Sequence, residues 1–243
     1  MKATILLIAL LFVFSNCNKD HLFDCVKSTG DEILQYRTTA TFNNINMKDN
    51  VDVILYSDTN NFVQVLAGAH LINGIITEVE NGTLYIRNEN KCNWVRSFAN
   101  KYIVKVGLRA PQKIQSYGSG NITCMDSIKT DEFFFDSWNA SGSYQFLFNN
   151  HISHLVNNIG RADIHAKGYS GVVFSYINDV AILEASQLNV DYFYIRNSST
   201  GSCIIHVEKE MSAEINYTGN IYYSGNPYRV DEQITGSGKL VRQ

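Results

Sequence analysis

Charged residues are scarce in this 243-residue chain, because Lys, Arg, Asp and Glu make up 18% of it, against about a quarter in an average globular protein. The net charge is −3, so we expect no nucleic-acid partner. Only two prolines occur, Pro111 and Pro227. No Pro-rich linker, Gly/Ser tract or run of like charges marks a domain boundary. The length allows one elongated domain or two small ones, and the missing boundary favours one.

A long apolar run is found at the N-terminus, from residue 3 to residue 14. It is too short for a membrane-spanning helix, which needs roughly 20 residues, and it is typical of an export signal. Residues 14–17, Phe-Ser-Asn-Cys, resemble the lipobox of bacterial lipoproteins, although Phe14 and Asn16 depart from its usual residues. We predict a signal peptide over residues 1–16, lipid attachment at Cys17 and a tether over residues 17–35. The alternative is an ordinary cleaved signal with an incidental cysteine.

The predicted anchor determines where the protein is expected to lie. Residues 18–20, Asn-Lys-Asp, resemble the export tag of surface lipoproteins in Bacteroidetes. Each buried lipid CH₂ contributes about 0.8 kcal/mol, so two or three acyl chains hold a protein stably in a membrane. We therefore expect an outer-membrane lipoprotein at the cell surface, with a periplasm-facing position as the alternative.

Cysteine spacing excludes a zinc ribbon or a thioredoxin-like motif, because no Cys-x-x-Cys occurs. Outside the cytoplasm thiols tend to be oxidised. Four cysteines other than the predicted lipid carrier allow three pairings. We favour a Cys25–Cys92 disulfide, since both residues lie in polar segments beside the first β region. Cys124 and Cys203 lie within β patterns and are expected to be buried thiols.

Short β-branched or aromatic segments bounded by Asn, Gly or Asp predict strands throughout residues 36–110. Asn81-Gly82 is a strong hairpin signal, because both residues tolerate positive φ. We expect this opening region to be compact and largely antiparallel.

After residue 110 a glycine turn returns between short apolar strands. The steps between the glycines at positions 118, 142, 160, 201, 219 and 236 are 24, 18, 41, 18 and 17 residues. A degenerate turn near Asn178-Asp179 would divide the long step. A repeat near 20 residues with one tight turn is typical of a β-solenoid, in which stacked coils bury a common core. We predict a parallel β-helix or β-solenoid over residues 111–243, with a β-sandwich as the competing fold.

Residues 36–243 resemble the head GIN domain family, a family of unknown function whose name links it to auto-transporter adhesins. The resemblance is carried by residues 42–45, 50–55, 77–86 and 222–227 together with the Gly-Ser-Gly repeats. The second glycine of the repeat is missing at residues 160–162 and 201–203. The resemblance implies a single all-β domain with a right-handed β-helix-like fold. It implies no catalytic or binding residues.

Candidate catalytic groups are few, and we predict that the protein is not an enzyme and needs no cofactor or metal. Asp163 and His165 lie on one face of a predicted strand and could form an acid–base pair, but a solvated strand face is the simpler interpretation. Asp163 and Asp191 could be considered as the carboxylate pair of a glycosidase, but nothing in the sequence singles them out. His151 and His154 are expected to be loop histidines without a third metal ligand. The glycine turns lack the helix and lysine of a phosphate loop.

Tyrosine is abundant in the last third of the chain, and its apolar ring with a polar tip suits glycan or protein contacts. A candidate ligand face comprises Tyr192, Tyr194, Tyr217, Tyr222, Tyr223 and Tyr228. We expect a non-catalytic, adhesin-like surface lipoprotein that contacts a glycan or a surface protein. The alternatives are a structural component that binds a neighbouring envelope protein and, less favoured, an enzyme acting on polysaccharide.

Overall fold

The computed structural model describes residues 28–91 and 101–243. Strands account for 66% of it, in a β-solenoid-like arrangement of about six turns with parallel stacked strands. The predicted all-β solenoid is confirmed. A short 3-10 helix, Ile72–Gly74, joins two strands of the opening region.

Eighteen strands follow one another along the described residues. Their bounds are β1 Glu32–Arg37, β2 Asn44–Asp49, β3 Asp52–Tyr56, β4 Phe62–Gly68, β5 Ile75–Glu80, β6 Thr83–Asn88, β7 Ile103–Gly107, β8 Lys113–Gly118, β9 Ile122–Cys124, β10 Glu132–Ala140, β11 Ser143–Gly160, β12 Asp163–Asp179, β13 Ile182–Ser199, β14 Cys203–His206, β15 Glu210–Ile215, β16 Ile221–Ser224, β17 Arg229–Ile234 and β18 Leu240–Arg242.

The parallel strands stack into two walls. The first wall runs β6, β2, β8, β10, the second halves of β11, β12 and β13, then β15 and β17. The second wall runs β7, β3, β9, the first halves of β11, β12 and β13, then β14, β16 and β18. One coil contributes one strand to each wall, so residues one coil apart lie side by side.

The opening region differs from the expected antiparallel arrangement in one respect. Antiparallel pairs join β1 to β4, β4 to β7 and β5 to β6, and Asn81-Gly82 closes the β5–β6 hairpin with positive φ at both residues. However, β2 and β3 already belong to the parallel walls. The solenoid therefore begins before residue 111, and β1 overlaps the end of the predicted tether and extends to Arg37.

The space between the walls is filled by apolar side chains that alternate with outward residues along each strand. Its largest aromatic cluster contains Phe133, Phe135, Tyr144, Phe146 and Phe148, each at most 2% exposed. Neighbouring ring centroids in this cluster lie 4.7–5.6 Å apart. Because stacked coils share this interior, no coil buries its apolar face alone.

At one edge of the solenoid, each coil turns from the first wall to the second through a tight corner. One column of corner residues stacks from coil to coil, with each of its glycines against the backbone of the preceding corner, and we call it the corner column. It contains Val51, Gly120, Gly142, Ala162, Ala181, Gly201, Gly219 and Gly238. Gly201 therefore occupies the position of the second glycine of the Gly-Ser-Gly repeat. The sequence alone had suggested residue 203 for that position.

Two corner shapes explain why the column is not all glycine. Where it holds Val51, Ala162 or Ala181, the residue two positions earlier has positive φ: Asp49 at 65°, Gly160 at 108° and Asp179 at 64°. The predicted degenerate turn is therefore real, and Asp179 supplies its left-handed residue. Where no such residue precedes it, as at Gly219, a Cβ would lie 2.0 Å from the carbonyl oxygen of Gly201. Only glycine fits that approach.

Buried amides connect successive corners. The side-chain Nδ2 of Asn157 donates to the carbonyl of Asn178 at 2.8 Å, and Ser137 Oγ donates to Asn157 Oδ1 at 2.8 Å. Asn197 Nδ2 donates to the carbonyl of Gly201 at 3.1 Å. These bonds give buried polar groups at the corners hydrogen-bonding partners.

Candidate functional site

Four aromatic rings stack along the outer surface of the first wall. Phe134 lies on His154 with ring centroids 4.1 Å apart, His154 lies 5.1 Å from Phe174, and Phe174 lies 5.1 Å from Tyr194. The interplanar angles are 9°, 16° and 14°, so each pair is stacked face to face. We call these four residues the aromatic ladder.

The strand register creates the ladder. Phe134 pairs with His154, His154 with Phe174, and Phe174 with Tyr194 in successive coils. The four positions are therefore separated by steps of 20 residues, and each side chain points away from the core. Sequence reasoning did not assign Phe134, His154 or Phe174 to a ligand face, although their equal spacing at the repeat length was a signal that could have found them.

The ladder is exposed to solvent rather than buried. Phe134, Phe174 and Tyr194 are 37%, 40% and 41% exposed. Single exposed apolar residues are ordinary on protein surfaces, but contiguous apolar patches often mark an interaction site. His154 is held between two rings while its Nε2 contacts Glu132 Oε1 at 2.8 Å. The ladder is thus a preformed aromatic strip with one carboxylate beside it.

A cleft of about 850 Å³ opens at the Phe134 end of the ladder. This volume lies within the range of about 300–1,000 Å³ typical of ligand sites. Phe134 and Tyr169 supply its aromatic surface, and amide, amino and carboxylate side chains supply its polar surface. The polar residues include Asn44, Gln112, Lys113, Lys129, Asp131, Glu132, Asn149 and His151. The cleft combines apolar rings with hydrogen-bonding groups of both charges.

At the other end, a smaller groove of about 290 Å³ runs beside Phe174 and Tyr194. Its far side carries the ion pair between Arg196 Nε and Glu214 Oε2, 2.6 Å long. Hydrogen bonds from Asn216 and Arg196 lower the pKa of Glu214. The next residue in the ladder column is Ser212, which pairs with Tyr194 and is too small to continue the stack.

A polar cluster with three tyrosines lies near the corner between the halves of β12 and β13. Asp191 Oδ2 accepts from Lys209 Nζ at 3.0 Å and from the Tyr169 hydroxyl at 3.2 Å. Lys209 lies 5.5 Å from the ring centroid of Tyr192. The Tyr228 hydroxyl donates to Glu210 at 2.6 Å, which raises the pKa of Tyr228 to about 12. Burial and the neighbouring Asp191 also raise the pKa of Tyr169, so Tyr169 and Tyr228 stay neutral and serve as donors near neutral pH.

The six tyrosines of the predicted ligand face lie on three parts of the surface. Tyr192, Tyr194 and Tyr228 belong to the first wall or its polar cluster. Tyr217 lies at the glycine corner, and Tyr222 and Tyr223 lie in β16 of the second wall. The structure brings only the first group close to the aromatic ladder. No single surface contains all six tyrosines, so a ligand face formed by all of them stays a prediction.

The histidines and aspartates that the sequence suggested as candidate site residues lie in strands. His151 and His154 lie in β11, which corrects the expectation of loop histidines. Asp163 begins the second-wall half of β12, whereas Asp191 lies between the two halves of β13, at the opposite edge of a coil. Within residues 28–91 and 101–243, no group of three or more His, Cys, Asp or Glu side chains is arranged to hold a metal ion.

Cys203 is a buried free thiol, as predicted, and Cys124 is a partly buried free thiol. Burial raises the pKa of each thiol to about 12, so neither is a reactive thiolate near neutral pH. The predicted lipid carrier Cys17 and the predicted Cys25–Cys92 disulfide lie outside the described residues. In the part of the chain that is described, no helix has the length and apolar character needed to cross a bilayer.

The stacked coils and the two walls place the chain among β-solenoid proteins. Residues 41–227 match the family described as "Putative auto-transporter adhesin, head GIN domain", and the chain belongs to that family. This confirms the resemblance drawn from the repeats. No curated protein sequence matches the chain.

Several solved structures share this fold. A putative adhesin from Bacteroides fragilis is 15% identical, with a TM-score of 0.81 over 88% of this chain and 97% of that one. A putative adhesin from Parabacteroides merdae is 17% identical, with a TM-score of 0.66 over 90% and 98%. A protein from Parabacteroides distasonis described as a putative lipid binding protein is 17% identical, with a TM-score of 0.67 over 88% and 97%. At these identities the likeness shows the fold alone.

Proposed function

We propose that this protein is a non-catalytic, adhesin-like lipoprotein of the cell surface, anchored through Cys17, that binds a glycan through the outer face of its first wall. The observation that carries the proposal is the aromatic ladder, because its stacked rings are exposed side by side on the outer face of one wall. The family description and the structural neighbours described as putative adhesins support it.

The ladder suits an elongated partner better than a compact small molecule. It spans four coils, and a cleft or groove lies at each of its ends. The stacked rings are rigid, so binding would cost little side-chain entropy. The apolar C–H groups of sugar rings can pack on the exposed ring edges of the ladder and on the uncovered faces of its two end rings, while sugar hydroxyls complement the flanking amides and carboxylates. A linear glycan laid across the coils would meet the rings and both polar ends.

A whole-cell adhesion experiment tests the anchor and the binding face together. Cells expressing the full chain are compared with cells expressing Cys17→Ser, Phe174→Ser or Tyr222→Ser on glycan-coated surfaces. Cys17→Ser removes the lipid carrier, so we expect the protein in the medium and no adhesion. Phe174→Ser interrupts the ladder, so we expect normal surface display with adhesion reduced roughly fivefold or more, in keeping with a central interface residue.

Tyr222→Ser is the matched control, because it removes a partly exposed ring from the second wall. Surface display is measured by protease shaving, and intact mass reports acylation of Cys17. The proposal fails if wild-type cells do not adhere above cells lacking the protein. It also fails if Phe174→Ser and Tyr222→Ser behave alike. Full adhesion by a surface-retained Cys17→Ser chain would refute the anchor alone.

A further inference from the structure

In the cleft at the Phe134 end of the ladder, the acidic side chains contact histidines, whereas the lysines have no ion-pair partner among the described residues. Asp131 Oδ1 lies 3.2 Å from His151 Nδ1, and Glu132 Oε1 lies 2.8 Å from His154 Nε2. Each carboxylate therefore has one histidine partner, His151 in the cleft wall and His154 in the ladder beside it. Among the residues that the structure describes, no carboxylate pairs with Lys113 or Lys129. The two ammonium groups are thus the charged groups of the cleft that have no partner among the described residues.

The position of Lys113 ties this charge to the ladder. Lys113 pairs in register with Phe134 on one side and with Asn44 on the other. The outward column therefore reads Asn44, Lys113, Phe134, His154 along the first wall. His154 covers one face of the Phe134 ring. The other face is turned toward Lys113, the neighbouring residue of the column. A planar or ring-shaped ligand on that free face would lie beside a cation and an amide.

Hydrogen-bonding amides complete the lining. Asn149 and Gln112 border the cleft and are exposed, and Tyr169 adds a half-exposed ring with a hydroxyl. Gln112 Oε1 accepts from Asn43 Nδ2 at 2.9 Å, which orients its amide nitrogen for a further acceptor. Amides of this kind recognise hydroxyl groups by donating and accepting at one planar group.

From this arrangement we propose that the cleft is a subsite for an acidic sugar residue, one that carries a carboxylate or a sulfate. The sugar ring packs on the free face of Phe134, Lys113 and Lys129 bind its anionic group, and the amides bind its hydroxyls. The inference rests on the proposed glycan-binding function and narrows it to a class of glycan. Each charge-assisted hydrogen bond to the anion strengthens binding more than a neutral one does.

The test uses the full chain, purified from membranes in detergent, on a defined array of glycans. The probes are glycans bearing uronic acid, sialic acid or sulfate, each printed with a neutral counterpart of the same backbone. We expect at least one acidic glycan to bind roughly tenfold or more tightly than its counterpart. The carboxylated and sulfated members show which anion the site takes.

Three single variants locate the effect. Lys113→Gln and Lys129→Gln should each weaken binding of the acidic glycan by on the order of tenfold while leaving binding of neutral glycans unchanged. Lys167→Gln is the control, because it removes the same charge from an exposed position on the second wall. Equal binding of acidic and neutral glycans, or equal effects of all three variants, would overturn the subsite.

The failures of the two proposals can be told apart. If the array shows glycan binding that depends on Phe174 but is indifferent to acidic groups and to the two lysines, the subsite is wrong and the proposed function stands. If no glycan binds and adhesion is unaffected by Phe174→Ser, both are wrong. Thermal melting of each variant confirms that loss of binding is not loss of fold.

Discussion

Replacing Phe146 with alanine is expected to lower the free energy of unfolding by about 3–5 kcal/mol, the usual cost of deleting a buried phenylalanine ring. Phe146 is 2% exposed, and its ring centroid lies 4.9 Å from Phe135 and 5.6 Å from both Phe133 and Phe148. Phe133 and Phe135 lie in the first wall and Phe146 and Phe148 in the second, so the cavity would weaken the contact between the two walls. Urea denaturation followed by circular dichroism measures the loss.

Phe134→Ala is the matched control for that experiment. The ring deleted is the same and lies in the same part of the solenoid, but it is outward and 37% exposed. We expect a loss of about 1 kcal/mol, from its stacking on His154. Equal losses for the two variants would mean that the interior is not the main source of stability.

Replacing Gly219 with alanine is the second change with a large expected effect. The added Cβ would meet the carbonyl oxygen of Gly201 at 2.0 Å and that of Ser199 at 2.7 Å. Gly219 also donates its backbone N–H to Ser199 at 2.9 Å, so the corner cannot open without losing a hydrogen bond. We expect a cost of about 3 kcal/mol or more, at the upper end for overpacked sites. Thermal and urea unfolding measure it.

Gly82→Ala separates this clash from backbone strain. Gly82 has a φ of 73°, but the nearest atom to its added Cβ is Asn43 Oδ1 at 3.6 Å. Its cost should be about 1–2 kcal/mol, the conformational penalty alone. A Gly219→Ala variant as stable as Gly82→Ala would show that the corners are not closely packed.

The repeat itself could be predicted from the sequence, because the features that define it are local. Glycine turns between apolar strands gave the coil length, and the 41-residue step required a turn near Asp179, where the structure has one. The pairing of the opening strands could not be predicted in this way. Alternation identifies a strand but not its partner, and Asn44 pairs with Lys113, 69 residues further along the chain.

The candidate site was only partly accessible from the sequence, for a geometric reason. Tyr222, Tyr223 and Tyr228 attracted attention because they are close in sequence, but neighbours along a strand point to opposite faces. In a solenoid, residues one coil apart become neighbours, as Phe134, His154, Phe174 and Tyr194 show. The pairing of the carboxylates with histidines, which leaves Lys113 and Lys129 without an anionic partner among the described residues, depends on three-dimensional contacts that no spacing reveals.

The most direct test of the central claim, that the outer face of the first wall binds glycan, is NMR of the full chain with ¹³C-labelled Phe and Tyr rings. During titration with a glycan that supports adhesion, we predict that the ring signals of Phe134, Phe174 and Tyr194 shift together. All three titration curves should give the same dissociation constant. The signals of Tyr222 and Tyr223 on the second wall should stay unchanged. Shifts confined to the second-wall tyrosines, with the ladder rings unaffected, would contradict the account.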